Sequence, residues 1–419
     1  LGLFGNIIVK NYSLQDWEKD LKTSLFMRQS KAGINVNEST AIKMSAVLGS
    51  VLVLSQTLAS MPLILYKDRK RGDKSSGKDR HVDHPLYDLV KTAPNDEIPA
   101  MVFKETMMSH MTLSGNGYAQ IIRSRRGDIL SLDILPWWQM EAKRNYNTGK
   151  IEYWTNDRGK QIQLDSKNVL HIPGLSFDGV TGYSPIKMAM EAIGLGLAAE
   201  HFAGYFYSNG ANIGGVITMP GHIQDPGSLK EELGEKFEGL GKAHKVMFLE
   251  DGMKFEKVIM PLAEAQFLET RKFQVEEIAR IYRVPLHLLQ NLDKATNNNI
   301  EHQSLEFVMY TMLPWFTRWE QWLNFKLLTK EERQQGLFFE FLLTALLRAD
   351  TAARSKMLHE MRQDGIINAD EWRELENMNP QEGEYGKTYY INGNMISTET
   401  AAKQQPRQTN TGGGGKLDA

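Results

Sequence analysis

Ser184-Pro-Ile-Lys187 places a hydroxyl three residues before an amine, the spacing at which a lysine can activate a serine nucleophile. That chemistry also needs Ser-Asp-Asn and Lys-Thr-Gly segments, and the chain holds neither, so an N-cap followed by a surface lysine is the favoured reading. Gly174, Gly179 and Gly182 make a glycine-rich stretch, yet no Gly-x-x-x-x-Gly-Lys-Ser/Thr phosphate cradle exists, so these residues read as a loop ahead of a helix. Glu301-His302 and His359-Glu360 stand outside any His-Glu-x-x-His frame and read as surface or capping pairs. The cysteine count is 0, which removes thiolate nucleophiles, disulfides and cysteine-held zinc together and fits a reducing compartment. The chemistry expected is therefore non-catalytic, without cofactor or metal; a hydrolase or transferase with an unrecognised site is the alternative.

The elements that would position these residues form an α+β pattern. A helix pattern covers Leu14–Met27, a second covers Ala41–Ala59, and Leu63–Tyr66 reads as a short strand before a basic loop, Lys67–Arg80. Ile98–Leu113 is helical. The period then changes: Tyr118–Arg123 and Ile129–Ile134 flank one turn signal, Ile151–Thr155 and Gln161–Leu164 flank another, and Val169–Ile172 adds a strand. Pro185 opens a long helix to about Tyr207, capped by Ser184 and spanning ~35 Å. Ala189, Ala192, Gly196, Ala199 and Ala203 line one of its faces beside a bulkier stripe of Ile186, Met190, Ile193 and Leu197. Such a face admits a close helix, from the same chain or from a neighbouring copy, and both readings stay open.

A small α/β insert follows: a strand at Gly215–Met219, a charged helix from Ser228 to about Phe237, and a hairpin of Val246–Glu250 with Lys254–Val258. A second long helix, Ala263–Val284, carries Leu268, Val275, Ile278, Ala279 and Tyr282 on one face and an i,i+4 pair, Glu276–Arg280, on another. Pro285 stops it, and Asn291–Asn299 reads as a polar loop. A third long helix starts at Ile300, with Pro314 expected to kink it and Trp315, Trp319 and Trp322 on one face. Phe338–Leu342 is a strand, Thr351–Arg362 and Asn368–Asn377 are short helices, and the rest is polar.

Composition sets the outer limits. With 41% hydrophobic and 24% charged residues the chain is globular, and 419 residues suit two or three units. A net charge of -2 gives no global field to select nucleic acid or an anionic membrane. The runs Lys67–Arg71 and Arg123–Arg126 read as solvated basic loops. Met44–Tyr66 carries no charge and has the length of a bilayer span, but its serines, Gln56, Thr57 and Pro62 favour a buried soluble helix over a membrane-associated ring. The start at Leu1, without Met or a leader layout, reads as a trimmed N-terminus.

The order of motifs resembles the portal proteins of tailed bacteriophages, of the compact kind found in long-tailed phages. The residues that carry the likeness are Gly115-Asn-Gly-Tyr-Ala119, Asn168-Val-Leu-His-Ile172, Asp178-Gly-Val-Thr-Gly-Tyr-Ser-Pro185, Asn209-Gly-Ala211, Glu250-Asp-Gly252, Gln266–Phe273, Glu277–Arg280, Val284-Pro-Leu-His287 and Leu347–Asp350. Leu286 stands where many relatives have a second proline. The resemblance implies a portal-type fold: residues 1–183 and 300–347 form a wing, 184–211 and 263–285 two stem helices, and 212–262 a clip. Residues 286–299 form a tunnel loop, 348–378 a crown, and 379–419 a disordered polar tail.

It further implies a homo-oligomeric ring of twelve subunits in the virion, at one capsid vertex, assembled in the host cytoplasm. Implied partners are double-stranded DNA without sequence preference, the terminase large subunit, a head–tail adaptor, and the major capsid protein or scaffold, with no membrane. Asn291, Asp293, Lys294, Thr296, Asn297, Asn298 and Asn299 would face the DNA channel. Lys230, Glu231, Glu232, Glu235 and Lys236 would face terminase or adaptor, and the small-residue stripe would pack the stem.

Overall fold

The computed structural model describes residues 30–71, 74–208, 215–218, 254–257, 264–290, 297–343, 351–376, 378–381, 383 and 385–390. The chain divides into two compact units, Leu1–Leu342 and Leu343–Ala419. The expected helix at Leu14–Met27 lies outside the described residues.

The first unit begins with α1 (Glu38–Ala41), closed by a reciprocal cap: Asn37 Oδ1 accepts the Thr40 N–H and Thr40 Oγ1 accepts the Asn37 N–H, both at 2.9 Å. Helix α2 (Ser45–Ser60) follows. The charge-free stretch is thus a helix, Pro62 and the start of a strand, and no described helix is long and apolar enough to cross a membrane. Its buried Ser50 and Ser55 donate to the carbonyls of Ala46 and Val51, both at 2.7 Å, so these hydroxyls reach the core without a desolvation penalty.

Strand β1 (Leu63–Arg71) outruns its apolar residues and pairs with β2 (Lys74–Arg80), so the expected Lys67–Arg80 loop is a hairpin. The apolar alternation ends at Tyr66, but main-chain pairing does not need it, and charged side chains suit an edge strand. Helix α3 (Pro85–Lys91), not expected, starts with Pro85 in its first turn and His84 Nδ1 accepting the Leu86 N–H at 3.2 Å. Helix α4 is Ala100–Ser114.

The β-rich region holds two sheets. Strand β3 (Asn116–Arg123) lies between β4 (Ile129–Leu135) and β8 (Val169–Pro173). In the other, β6 (Ile151–Asp157) lies between β5 (Met140–Arg144), also not expected, and β7 (Lys160–Leu164). The β6–β7 turn uses Arg158 at φ 51° and Gly159 at φ 83°, the two positive values of a type I′ hairpin.

The long helix after Ser184 is in two pieces, α5 (Pro185–Met188) and α6 (Met190–Ser208), broken at Ala189, where φ is -96° and ψ 17°. In the insert, β9 (Gly215–Thr218) pairs antiparallel with β10 (Lys254–Lys257); Val246–Glu250 and the Ser228–Phe237 helix lie outside the described residues. Helix α7 (Glu264–Tyr282) ends where Arg283 turns to φ 55°, followed by a 3-10 turn at Leu286–Leu289.

Helix α8 (Asn297–Glu306) leads into a π-helical turn, Phe307–Met312, then α9 (Leu313–Leu327). The irregularity expected at Pro314 therefore falls in the turn before it. There the wider winding relieves the clash between the proline ring and the preceding carbonyl. Thr311, within that turn, donates to the Arg283 carbonyl at 2.8 Å. After α10 (Lys330–Gln334), β11 (Leu337–Phe341) pairs with β1, Leu63 opposite Phe341, giving the sheet order β11-β1-β2.

The second unit contains α11 (Thr351–Gln363) and α12 (Ala369–Leu375), separated by Gly365 at φ 69°. Asn368 and Glu371 cap each other's main-chain N–H at 2.8 Å. Residues after Pro380 contact α12: the Gln381 N–H donates to Asp370 at 2.7 Å, Tyr389 to Glu371 at 2.6 Å, and Gly386 lies against Asp370. Residues 382, 384 and 391–419 of the expected tail lie outside the described residues.

One buried charge ties α4 into the first unit. Lys104 donates to the Met61 carbonyl at 2.6 Å, and burial lowers its pKa to about 8. Between pH 8 and 10.5 the unfolded chain holds a proton here that the folded chain has released, so stability rises with pH across that window. Lys104→Met should abolish that rise, worth up to about 3 kcal/mol at 1.4 kcal/mol per pH unit, as read from urea midpoints at pH 7.5 and 10. Equal pH slopes for parent and variant would refute it.

Candidate channel and assembly site

Helix α4, β3 and β8 meet the start of the long helices at a crossing of three glycines. Helix α4 ends at Gly115, at φ 84°, a left-handed cap that glycine adopts without strain. The Gly115 carbonyl accepts the Gly174 N–H at 2.7 Å. A Cβ on Gly182 would lie 1.9 Å from that carbonyl, and one on Gly115 would lie 2.3 Å from the Tyr183 carbonyl.

Asn116 closes the crossing. Its Nδ2 donates to the Gly182 carbonyl at 2.8 Å, and its Oδ1 accepts the Gly182 N–H at 2.7 Å. His171 Nε2 stands 3.0 Å from the same Oδ1, with its ring stacked on Tyr118 at 4.3 Å. Burial holds the His171 pKa down at about 3, so the imidazole is neutral and, with Oδ1 accepting, is assigned the Nε2–H tautomer.

The loop from Gly174 to Ser184 is ordered by Asp178, whose Oδ1 accepts the N–H groups of Val180 and Thr181 at 2.8 and 2.9 Å and the Ser176 hydroxyl at 2.8 Å. Those hydrogen bonds lower its pKa. Ser184 then caps α5 by accepting the Lys187 N–H at 3.3 Å, while its hydroxyl donates to the Leu113 carbonyl at 2.7 Å. The Ser184–Lys187 spacing is a helix start.

Helices α6 and α7 pack antiparallel: Gly196 lies near Gln274, and farther from the crossing Glu200 pairs with Arg271 at 3.7 Å. The small-residue stripe divides. Ala189 is buried, and a Cβ on Gly196 would lie 2.6 Å from Met44 of the same chain, so its upper part packs within the chain. Ala192, Ala199 and Ala203 remain half-buried. On α7, Ile278, Ala279 and Tyr282 are buried as expected, and so is Gln274, which sequence reading missed and whose polarity gave no signal of burial. Arg280 pairs with Glu277 at 3.9 Å, where an i,i+4 pair with Glu276 was expected.

Beyond α7, His287 joins the 3-10 turn to α8, Nδ1 at 3.0 Å from Gln303 Oε1 and Nε2 at 3.2 Å from Ser304 Oγ. Of the expected channel residues, Asn297, Asn298 and Asn299 form the first turn of α8 and not a loop, because the helix starts three residues before the apolar pattern at Ile300. Asn291, Asp293, Lys294 and Thr296 lie outside the described residues, as do the clip residues Lys230, Glu231, Glu232, Glu235 and Lys236. The structure therefore brings together the stripe and α7.

Among the described residues no group of three or more histidine, aspartate or glutamate side chains is placed to hold a metal. What the geometry builds is a scaffold: sheets and helices locked by a backbone crossing onto an antiparallel helix pair. The chain belongs to the phage portal protein family, which matches residues 45–377. It is 33% identical over 377 residues to the probable portal protein of Streptomyces phage phiC31, covering 87% of this chain and 81% of that one. It is 28% identical over 353 residues to the portal protein of Enterobacteria phage HK97, covering 83% and 82%. Its fold is similar to a chain in the neck of a native gene transfer agent particle computed with C12 symmetry, with TM-score 0.56, 20% identity and coverage of 86% and 98%. It is also similar to the crystal structure of an HK97-family phage portal protein from Corynebacterium diphtheriae, with TM-score 0.54, 16% identity and coverage of 74% and 96%.

The crossing predicts a contrast between glycines. Gly182→Ala should cost about 3 kcal/mol or more, because main-chain atoms must move. Gly204→Ala, in α6 with nothing within 4 Å of its Cβ, should be neutral or stabilising by up to about 1 kcal/mol. Urea midpoints of the two variants decide; equal effects would remove the crossing's special status.

Proposed function

We propose that this portal protein forms a twelve-subunit ring at one capsid vertex of a virion and serves as the conduit through which double-stranded DNA is packaged and ejected. The observation that carries the reading is the family match over residues 45–377, which takes in the sheets, the glycine crossing and both long helices. The likeness to a neck chain computed with C12 symmetry supports the ring. In this reading α6 and α7 are stem helices, residues 212–262 a clip that meets the terminase large subunit and then the head–tail adaptor, and residues 348–378 a crown. The major capsid protein or scaffold holds the outer rim, and assembly takes place in the host cytoplasm.

A conduit must let DNA slide. Each phosphate neutralised by a lysine or arginine releases counterions and tightens binding, so a strongly basic lining would hold the duplex. A net charge of -2 suits passage. The polar run from Asn291 to Asn299 has one cation, Lys294, and repeated around a ring it would give weak contacts without sequence preference. Driving force would come from a separate terminase motor, since the chain has no phosphate-cradling Gly-Lys-Ser/Thr loop.

Negative-stain microscopy of the purified chain should show monodisperse rings with an axial hole, and a persistent monomer across salt and concentration would refute the ring. Lys294→Ala combined with Asn298→Ala should leave rings intact and lower the amount of DNA packaged or retained, measured as nuclease-protected genome per particle. Loss of rings in that variant would instead make the segment structural.

A further inference from the structure

A cavity of about 710 Å³ lies beside the glycine crossing, where α1 and the residues from Thr181 to Ser184 meet the sheet of β5, β6 and β7. That is the size range of small-ligand sites. Its wall includes Glu38, Trp137, Gln139, Glu141, Tyr183 and Lys187.

Two of these groups are short of partners. Glu38 is 2% exposed, and its Oε2 accepts no hydrogen bond. Its Oε1 has one long contact, 3.3 Å from the Ser184 hydroxyl, whose single proton already goes to the Leu113 carbonyl at 2.7 Å. Among the described residues no cationic side chain forms an ion pair with it. Gln139 Nε2 is likewise buried and donates to nothing. Burying a carboxylate is costly unless a cation or several donors face it, so an orphaned one on a cavity wall calls for an occupant.

The wall indicates which occupant. A single buried carboxylate does not hold a metal, and among the described residues no group of three or more histidine, aspartate or glutamate side chains is placed to do so. A carboxylate set among aromatic rings suits an organic cation: its N–H groups answer the oxygens, and its alkyl stem lies along the rings. We propose that this cavity binds an alkylammonium ion, with Glu38 as its counter-charge and the aromatic part of the wall along its stem. Such a group comes either from a free amine or from a lysine side chain of another polypeptide. Gln139 separates the two, because its Nε2 needs an acceptor, which a main-chain carbonyl beside a lysine supplies and a simple amine lacks. Every wall group named belongs to one chain, so the site is complete with or without the ring.

Titration calorimetry of the full chain tests this with three probes: n-butylamine, Nα-acetyl-lysine methylamide, and the uncharged Nα-acetyl-norleucine methylamide. An ammonium probe should bind with Kd below about 1 mM, and the norleucine derivative at least about thirtyfold more weakly than the lysine derivative. Glu38→Gln, nearly the same in shape, should weaken ammonium binding at least about tenfold. Lys187→Gln removes an exposed like charge from the wall and should tighten ammonium binding about threefold at an unchanged urea midpoint. That second variant decides the matter even where Glu38→Gln does not fold. Butylamine binding as tightly as the lysine derivative assigns the site to a free amine, and a tighter lysine derivative assigns it to a polypeptide. No saturable binding of either ammonium probe up to about 10 mM means that ordered water alone fills the cavity, and overturns the proposal. Equal binding of the norleucine derivative, or ammonium binding that neither variant changes, also overturns it.

Discussion

The constraint on which this architecture depends is steric: three stretches of main chain meet at Gly115, Gly174 and Gly182, and at Gly115 and Gly182 they pass closer than any Cβ allows. Several elements meet at this point. Helix α4 ends there, β3 begins one residue later, β8 ends there, and the loop that starts α5 returns to it. Glycine permits the approach, but permission is not direction. Asn116 supplies direction, because its amide donates to and accepts from the main chain of Gly182 and also meets His171. A buried amide with both ends partnered is stabilising, whereas one partner removed would leave an unsatisfied group.

Farther along the helices the packing is less strict. A Cβ at Gly196 would meet the tip of Met44, a flexible side chain that can move, and not a main-chain atom. Gln274 Oε1 and Glu38 Oε2 are buried without a hydrogen-bond partner. The π turn before Pro314 belongs to the same pattern. Its wider winding accommodates the proline, and Thr311 secures the turn to the residue that ends α7. Rigidity is thus concentrated at the crossing, and adjustable contacts lie along the struts.

Much of this was legible in the sequence, and the misses share a cause. Periodicity located α2, α4, α7 and most strands because each buries one face. It missed β2 because an edge strand made of Lys74–Arg80 buries almost nothing, and α3 because seven residues cover too few turns for a pattern. It placed the start of α8 at Ile300 because asparagines are poor helix formers, although the helix includes Asn297–Asn299. The stripe from Ala189 to Ala203 was visible, but what it meets was not: Met44 is distant in sequence, and small residues do not specify a partner. Gly115, Gly174 and Gly182 were also visible, yet their crossing is a long-range property that no local pattern encodes.

That difference explains why motif order identified the family when no motif did so alone. The matching residues are largely those that set backbone geometry: the left-handed cap at Gly115, the amide of Asn116, the Asp178 turn, the Ser184 cap and the Pro285 stop. A catalytic family must keep particular reactive groups in place. A scaffold must keep its turns and crossings, and its helix faces can be repacked with other apolar residues of suitable volume. The fold is then retained at 20% and 16% identity in the two solved structures. In such a protein a glycine beside an asparagine says more about identity than a serine beside a lysine.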